Sequence, residues 1–186
     1  MRIDAIGSYQ QATDMSTTDV DIATGAKLVT AATDDNYVEA DTVTINGQFG
    51  NKALTITANM SAKEITDLVN QSFDSHGVDA VASTQLKLET VANAVAGSAG
   101  TVTVAFNLYG KNTEVVNVSA AITCGTSEAT SNVEPLRDAI NAYTAQTGIE
   151  ATLSSDKSNL ILVQDEGFDI KIVDVDFRFP PTSLLF

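Results

Sequence analysis

The sequence predicts an α+β protein made of two tandem β-rich units, each a small, mainly antiparallel sheet with one helix packed on it. Three observations carry this expectation. One order of local patterns occurs twice: alternating apolar runs, then a capped amphipathic segment, a glycine stop, a short alternating run and a further apolar run. Aligning Val69-Asn70 with Ile140-Asn141 puts Gly77 on Gly148 and Ala80 on Ala151 without a gap, and an internal repeat explains that spacing. Finally, 186 residues that are 44% hydrophobic suffice for a packed core, in one domain or two small ones.

Residues 1–41 are polar and weakly patterned, with short apolar pieces at Val20-Asp21-Ile22 and Lys27-Leu28-Val29, and read as an irregular lead-in with one or two short strands. The first unit spans 42–97. Thr42-Val43-Thr44-Ile45 and Ala53-Leu54-Thr55-Ile56-Thr57 alternate on either side of Asn46-Gly47 and Gly50-Asn51, the pattern of a hairpin with a loop longer than two residues. Ser61-Ala62-Lys63-Glu64 forms a capping box, in which the hydroxyl and the carboxylate each satisfy an amide that a helix start leaves open. Ile65, Leu68, Val69 and Phe73 then share a helical face. Gly77 supplies the positive φ of a helix stop, and Val78–Val81 and Leu86–Val91 return as strands that complete the first sheet.

Residues 92–100 are small and glycine-bearing, which suits a hinge. The second unit spans 98–176. Thr101-Val102-Thr103-Val104 opens it, Tyr109-Gly110-Lys111-Asn112 turns, and Glu114–Val118 answers. The surplus length near Ala120–Thr130 reads as an added loop around Cys124-Gly125-Thr126-Ser127. Ser131 or Asn132 caps the second helix, with Pro135 in its first turn, where no amide hydrogen is needed. Ile149–Leu153 and Leu160–Val163 follow as strands, and Phe168–Val173 closes the unit after a turn at Gln164-Asp165-Glu166-Gly167. Residues 177–186, with Pro180-Pro181 and an apolar end, read as a tail that looks cut.

The net charge of -14, from 24 acidic and 10 basic residues, is spread along the chain. Such a surface repels phosphate backbones and argues against nucleic acid as a partner. A single cysteine, Cys124, rules out an intrachain disulfide framework. No run of about 18 apolar residues could span a bilayer, so no membrane partner is expected. Met1-Arg2-Ile3-Asp4 does not begin a signal peptide, so export would use a route that reads no cleaved signal here.

The order of alternating strand, N-G turn, strand, helix ending in I/V-N, G-V-x-A strand and L-x-L strand resembles the short repeat in the central regions of bacterial flagellins and hook-associated proteins. Thr44-Ile45-Asn46-Gly47, Val69-Asn70, Gly77-Val78-Asp79-Ala80 and Leu86-Lys87-Leu88 carry it in the first copy. In the second copy they are Ala139-Ile140-Asn141, Gly148-Ile149-Glu150-Ala151, Leu160-Ile161-Leu162 and Glu166-Gly167, while Ala105-Phe106 stands where an N-G turn is expected. The likeness covers roughly residues 42–175. It implies a structural, non-catalytic central domain of a filament subunit, projecting outward from an extracellular flagellum. It also implies partners in other flagellin subunits, reached through long terminal helices that this sequence lacks, and a monomeric fragment. A filament cap or hook-junction protein is the nearest alternative, and a glycan-binding module using Tyr37, Tyr109 or Tyr143 as a stacking face is the alternative from another class.

No constellation for chemistry emerges, so no catalytic, cofactor-binding or metal residue is assigned, and no cofactor is expected. The only histidine, His76, is expected to play a helix-end role, as a cation beside the macrodipole. Cys124 is expected to be a buried strand residue. Asp165, Glu166, Asp169, Asp174 and Asp176 lack the spacing of a calcium loop and read, like Asp34-Asp35, as solvated positions. Gly97-Ser98-Ala99-Gly100 has no following lysine and precedes a strand, so it does not form a phosphate loop.

Overall fold

The computed structural model describes residues 2–4, 36, 38–88, 100–124, 132–155 and 159–178. Strand β1 (Arg2–Asp4) pairs in parallel with β4 (Asp79–Val81). Strands β2 (Asp41–Asn46) and β3 (Asn51–Ile56) form the expected hairpin, with Val43 opposite Leu54. Helix α1 (Ala62–Gln71) starts on the predicted capping box: the Glu64 amide donates to Ser61 Oγ at 3.3 Å, and the Ser61 amide donates to Glu64 Oε2 at 2.7 Å. A short helix α2 (Phe73–His76) follows and stops at Gly77, with φ 70°. Ile45, Leu54, Val69, Val78 and Ala80 close a first, small core.

Strand β5 (Thr84–Leu88) departs from the expectation that it completes the first sheet. It pairs antiparallel with β9 (Leu160–Gln164), whose other edge pairs with β8 (Ile149–Leu153). The reason lies in the connection. Six residues, 154–159, separate β8 from β9, whereas only Ala82-Ser83 separates β4 from β5. A two-residue hairpin needs positive φ at its centre, which Gly or Asn supplies and Ala82-Ser83 does not. The chain therefore runs on extended: Val78, Ala80, Ala82, Thr84, Leu86 and Leu88 are all buried, a continuous period of two that crosses from the first core to the second.

The second core is larger. Strands β6 (Gly100–Tyr109) and β7 (Val116–Cys124) form a long hairpin, and β10 (Lys171–Arg178) adds to the outer edge of β6. The turn falls at 110–115, as expected from Gly110-Lys111-Asn112, and Ala105-Phe106 lies inside β6; one expectation changes, since Ala120–Cys124 continues β7 and much of the surplus lengthens the hairpin. The closing strand, expected over Phe168–Val173, runs instead over Lys171–Arg178. A bulge interrupts β10 between Val173 and Asp176, and Asp174 takes φ 55° there while accepting a hydrogen bond from Asn107.

Helix α3 (Glu134–Asn141) has no side-chain cap at Val133, but Asn132 Oδ1 accepts from the Glu134 amide at 2.9 Å, and Pro135 sits in the first turn. Short helix α4 (Thr144–Thr147) ends at Gly148. Leu136 and Ile140 of α3 pack with Val102, Val104, Phe106 and Leu108, and Leu86 and Leu88 of β5 join the same core. Burying side chains of this size contributes about 1.5–3 kcal/mol each. The architecture is thus mixed α/β with mainly antiparallel sheets and few short helices.

Candidate functional site

Two places concentrate polar groups that the packing holds in fixed positions. The first occurs twice. Asn70 Oδ1 accepts from the Ala80 amide at 2.8 Å and its Nδ2 donates to the Ala80 carbonyl at 3.0 Å. Asn141 makes the same pair of bonds to Ala151, at 2.7 and 2.9 Å. Asn141 ends α3 and Asn70 is the last residue but one of α1, and each holds a strand residue ten positions on by its amide and its carbonyl, which are thereby satisfied without a neighbouring strand.

The surroundings of the two clamps also correspond. In the first unit, His76 Nδ1 accepts from the Val78 amide at 3.0 Å; in the second, Thr147 Oγ1 accepts from the Ile149 amide at 3.1 Å. Phe49 N donates to the His76 carbonyl and Lys111 N to the Thr147 carbonyl, which docks each hairpin turn on the end of its short helix. A Cβ at Gly47 or Gly110 would collide with that same carbonyl oxygen, so only glycine fits at either turn. His76 does stand at a helix end as expected, but it is fully buried there and its Nδ1 serves as an acceptor, with Nε2 3.1 Å from Ser72 Oγ, in place of the cation beside the macrodipole that the sequence suggests.

The second place is a cleft of about 470 Å³ between α1, the turn after β6 and the start of β10. Lys63, Glu64 and Asp67 of α1, Tyr109 of β6, and Asp169 and Lys171 around the start of β10 line it. The Lys63 amide donates to the Gly167 carbonyl at 2.8 Å, and its ammonium lies 5.8 Å from the Phe168 ring centre. Asn36 Nδ2 reaches Asp169 Oδ2 at 3.1 Å as well as the carbonyls of Asn59 and Met60, so one amide ties the lead-in, the β3–α1 turn and the second unit together. The buried Asp169 Oδ1 has no hydrogen-bond partner among the described residues. Burial raises the pKa of this carboxyl above its usual value, Asn36 and Lys171 oppose the rise, and the Glu64 carboxylate adds to it.

The remaining residues singled out in the sequence are scattered. Asp165 is exposed, Glu166 pairs with Lys111 at 2.9 Å, and Asp176 pairs with Arg178 at 2.7 Å. Among the described residues no group of three or more His, Cys, Asp or Glu could hold a metal ion. Cys124 ends β7 opposite Gly100, which begins β6, and its side chain lies outside the described part. Asp34-Asp35, Tyr37 and Gly97-Ser98-Ala99 also lie outside the described residues. Tyr109 lines the cleft while Tyr143 is exposed at the α3–α4 junction, away from its lining. Sequence reasoning missed Asn36 and the pairing of Asp169, because a contact across 133 positions leaves no local pattern.

An apolar groove of about 290 Å³ lies on the first unit between β2 and α1, lined by Val43, Ile45, Leu54, Ile56, Ile65 and Val69. Among the described residues, no helix is long and apolar enough to cross a membrane. No curated protein matches the chain. Residues 103–166, from β6 through the turn after β9 and including the Asn141 clamp, match the family model described as the flagellin hook IN motif.

Proposed function

We propose that the chain is a non-catalytic structural domain from the outward-projecting central region of a flagellar filament subunit, built from two motifs of the same kind. The observation that carries this reading is the duplicated clamp. The bonds that Asn141 makes to Ala151 inside the matched segment recur between Asn70 and Ala80 outside it, at the same separation and with the same glycine stop. A fold whose buried polar groups are used to fasten backbone has few left for substrate, which supports a scaffold role. The acidic, soluble surface agrees with a place outside the cell at high local density. In this reading subunit contacts are made by helical segments beyond residues 1–186, and the domain alone is monomeric.

Antibodies raised against residues 36–178 and applied to intact flagella test the proposal. Decoration along the whole filament is the expected result. Labelling confined to the tip or to the hook junction would instead assign the domain to a cap or hook-associated protein, and no labelling of intact flagella would remove it from the exterior altogether. The glycan-binding reading gains no comparable support, since Tyr109 and Tyr143 do not share a lining.

A further inference from the structure

We propose that Asp169 makes the junction between the two units a pH-sensitive latch, closed more firmly when its carboxyl group is protonated and loosened when that group is ionised. The geometry sets up the device. Asp169 sits where three parts of the chain meet: the turn after β9, the start of α1, and Asn36, which holds the β3–α1 turn through Asn59 and Met60. One carboxyl oxygen accepts from Asn36, and the other is buried among atoms that offer it no donor. An ionised carboxylate in that position keeps an unsatisfied charged oxygen away from water, a cost that disappears once the group is neutral.

The groups that face it from each neighbouring element do not cancel this cost. Glu64 on α1 repels the charge, with Asp67 one turn further along; Lys171 at the start of β10 attracts it, Lys63 on α1 is drawn to Asp67 at 2.7 Å, and Tyr109 of β6 closes the side of the cleft. The sign follows from the raised folded value. The penalty on the closed junction is absent at and below the unfolded carboxyl value of 3.8, grows as pH rises through the folded value, and is complete above it. Acidification therefore tightens the junction, in contrast to an ordinary ion-paired carboxylate.

Amide exchange of Lys63 reads the latch, because its N–H donates across the junction to Gly167. In the full chain, protection of Lys63 relative to Leu162 in the central strand β9, corrected for intrinsic exchange, should rise as pH is lowered from about 7.5 to the unfolded carboxyl value of 3.8. The full rise amounts to roughly tenfold for each unit that separates the folded from the unfolded carboxyl value. Asp169→Asn should hold the high ratio at both pH values, while Asp165→Asn, exposed on the neighbouring turn, should keep the response of the unaltered chain. A flat or falling ratio in the unaltered chain overturns the proposal, and so does a response that survives Asp169→Asn or vanishes in Asp165→Asn. Should Asp169→Asn fail to fold, the Lys63 profile of the unaltered chain decides alone.

Discussion

Asn70 and Asn141 satisfy both backbone groups of a residue ten positions on, and that geometry makes a sharp demand on chemistry. Only a side chain with one acceptor and one donor at its end fulfils both bonds. Asn141→Ala should therefore destabilise the protein by about 2–3 kcal/mol in urea unfolding, since the Ala151 amide and carbonyl both lose partners. Asn141→Asp keeps the acceptor but loses the donor and should also destabilise. At the neighbouring position the demand is looser, because His76 and Thr147 do the same work with different chemistry. His76→Thr should retain most of the stability, whereas His76→Ala should cost about 1–3 kcal/mol, by leaving the buried Val78 amide without its acceptor. A thermal melt of the two variants separates the outcomes.

Strand β5 is the element whose placement changes the reading of the molecule. Leu86 and Leu88, which follow directly from the first unit, are buried in the core that α3, β6 and β7 enclose. The matched segment 103–166 contains neither β5 nor β10, so it is not a self-sufficient packing unit. A chain starting at residue 96 should show strongly reduced or uncooperative unfolding in circular dichroism, and Leu88→Ala in the full chain should cost about 2–5 kcal/mol. A fragment from 96 that melts as cooperatively as the full chain would contradict this. The open groove beside β2 follows from the same arrangement: Val43 is 43% exposed, while Val102, Val104, Phe106 and Leu108 of the longer hairpin are all buried. The second hairpin shares its core with Leu136 and Ile140 of α3, Leu86 and Leu88 of β5 and Leu160 and Leu162 of β9.

For the whole molecule, two cores joined by one continuous extended run imply shared stability. The sequence alone suggests that Ile140→Asp would unfold the second unit and spare the first. With Leu86 and Leu88 embedded beside Ile140, and with Lys63 and Asn36 bonded to the second unit, the expectation becomes a single loss. A charged carboxylate at a position with no solvent exposure should abolish one cooperative transition seen by both near-ultraviolet and far-ultraviolet signals. Survival of native-like chemical shifts for residues 41–81 in Ile140→Asp would show instead that the first core stands alone.

The sequence by itself determined the local structure: the capping box at Ser61, the helix stops at Gly77 and Gly148, the hairpins, and the correspondence of Asn70 with Asn141. These depend on neighbours within about ten residues, so spacing and residue type specify them. Only the tertiary structure decided which sheet receives β5, that His76 is an acceptor in the interior, and that Asp169 meets Asn36 and faces Glu64. An extended apolar run satisfies any sheet edge of matching register, and the choice between edges rests on connection length and on the volume left in each core.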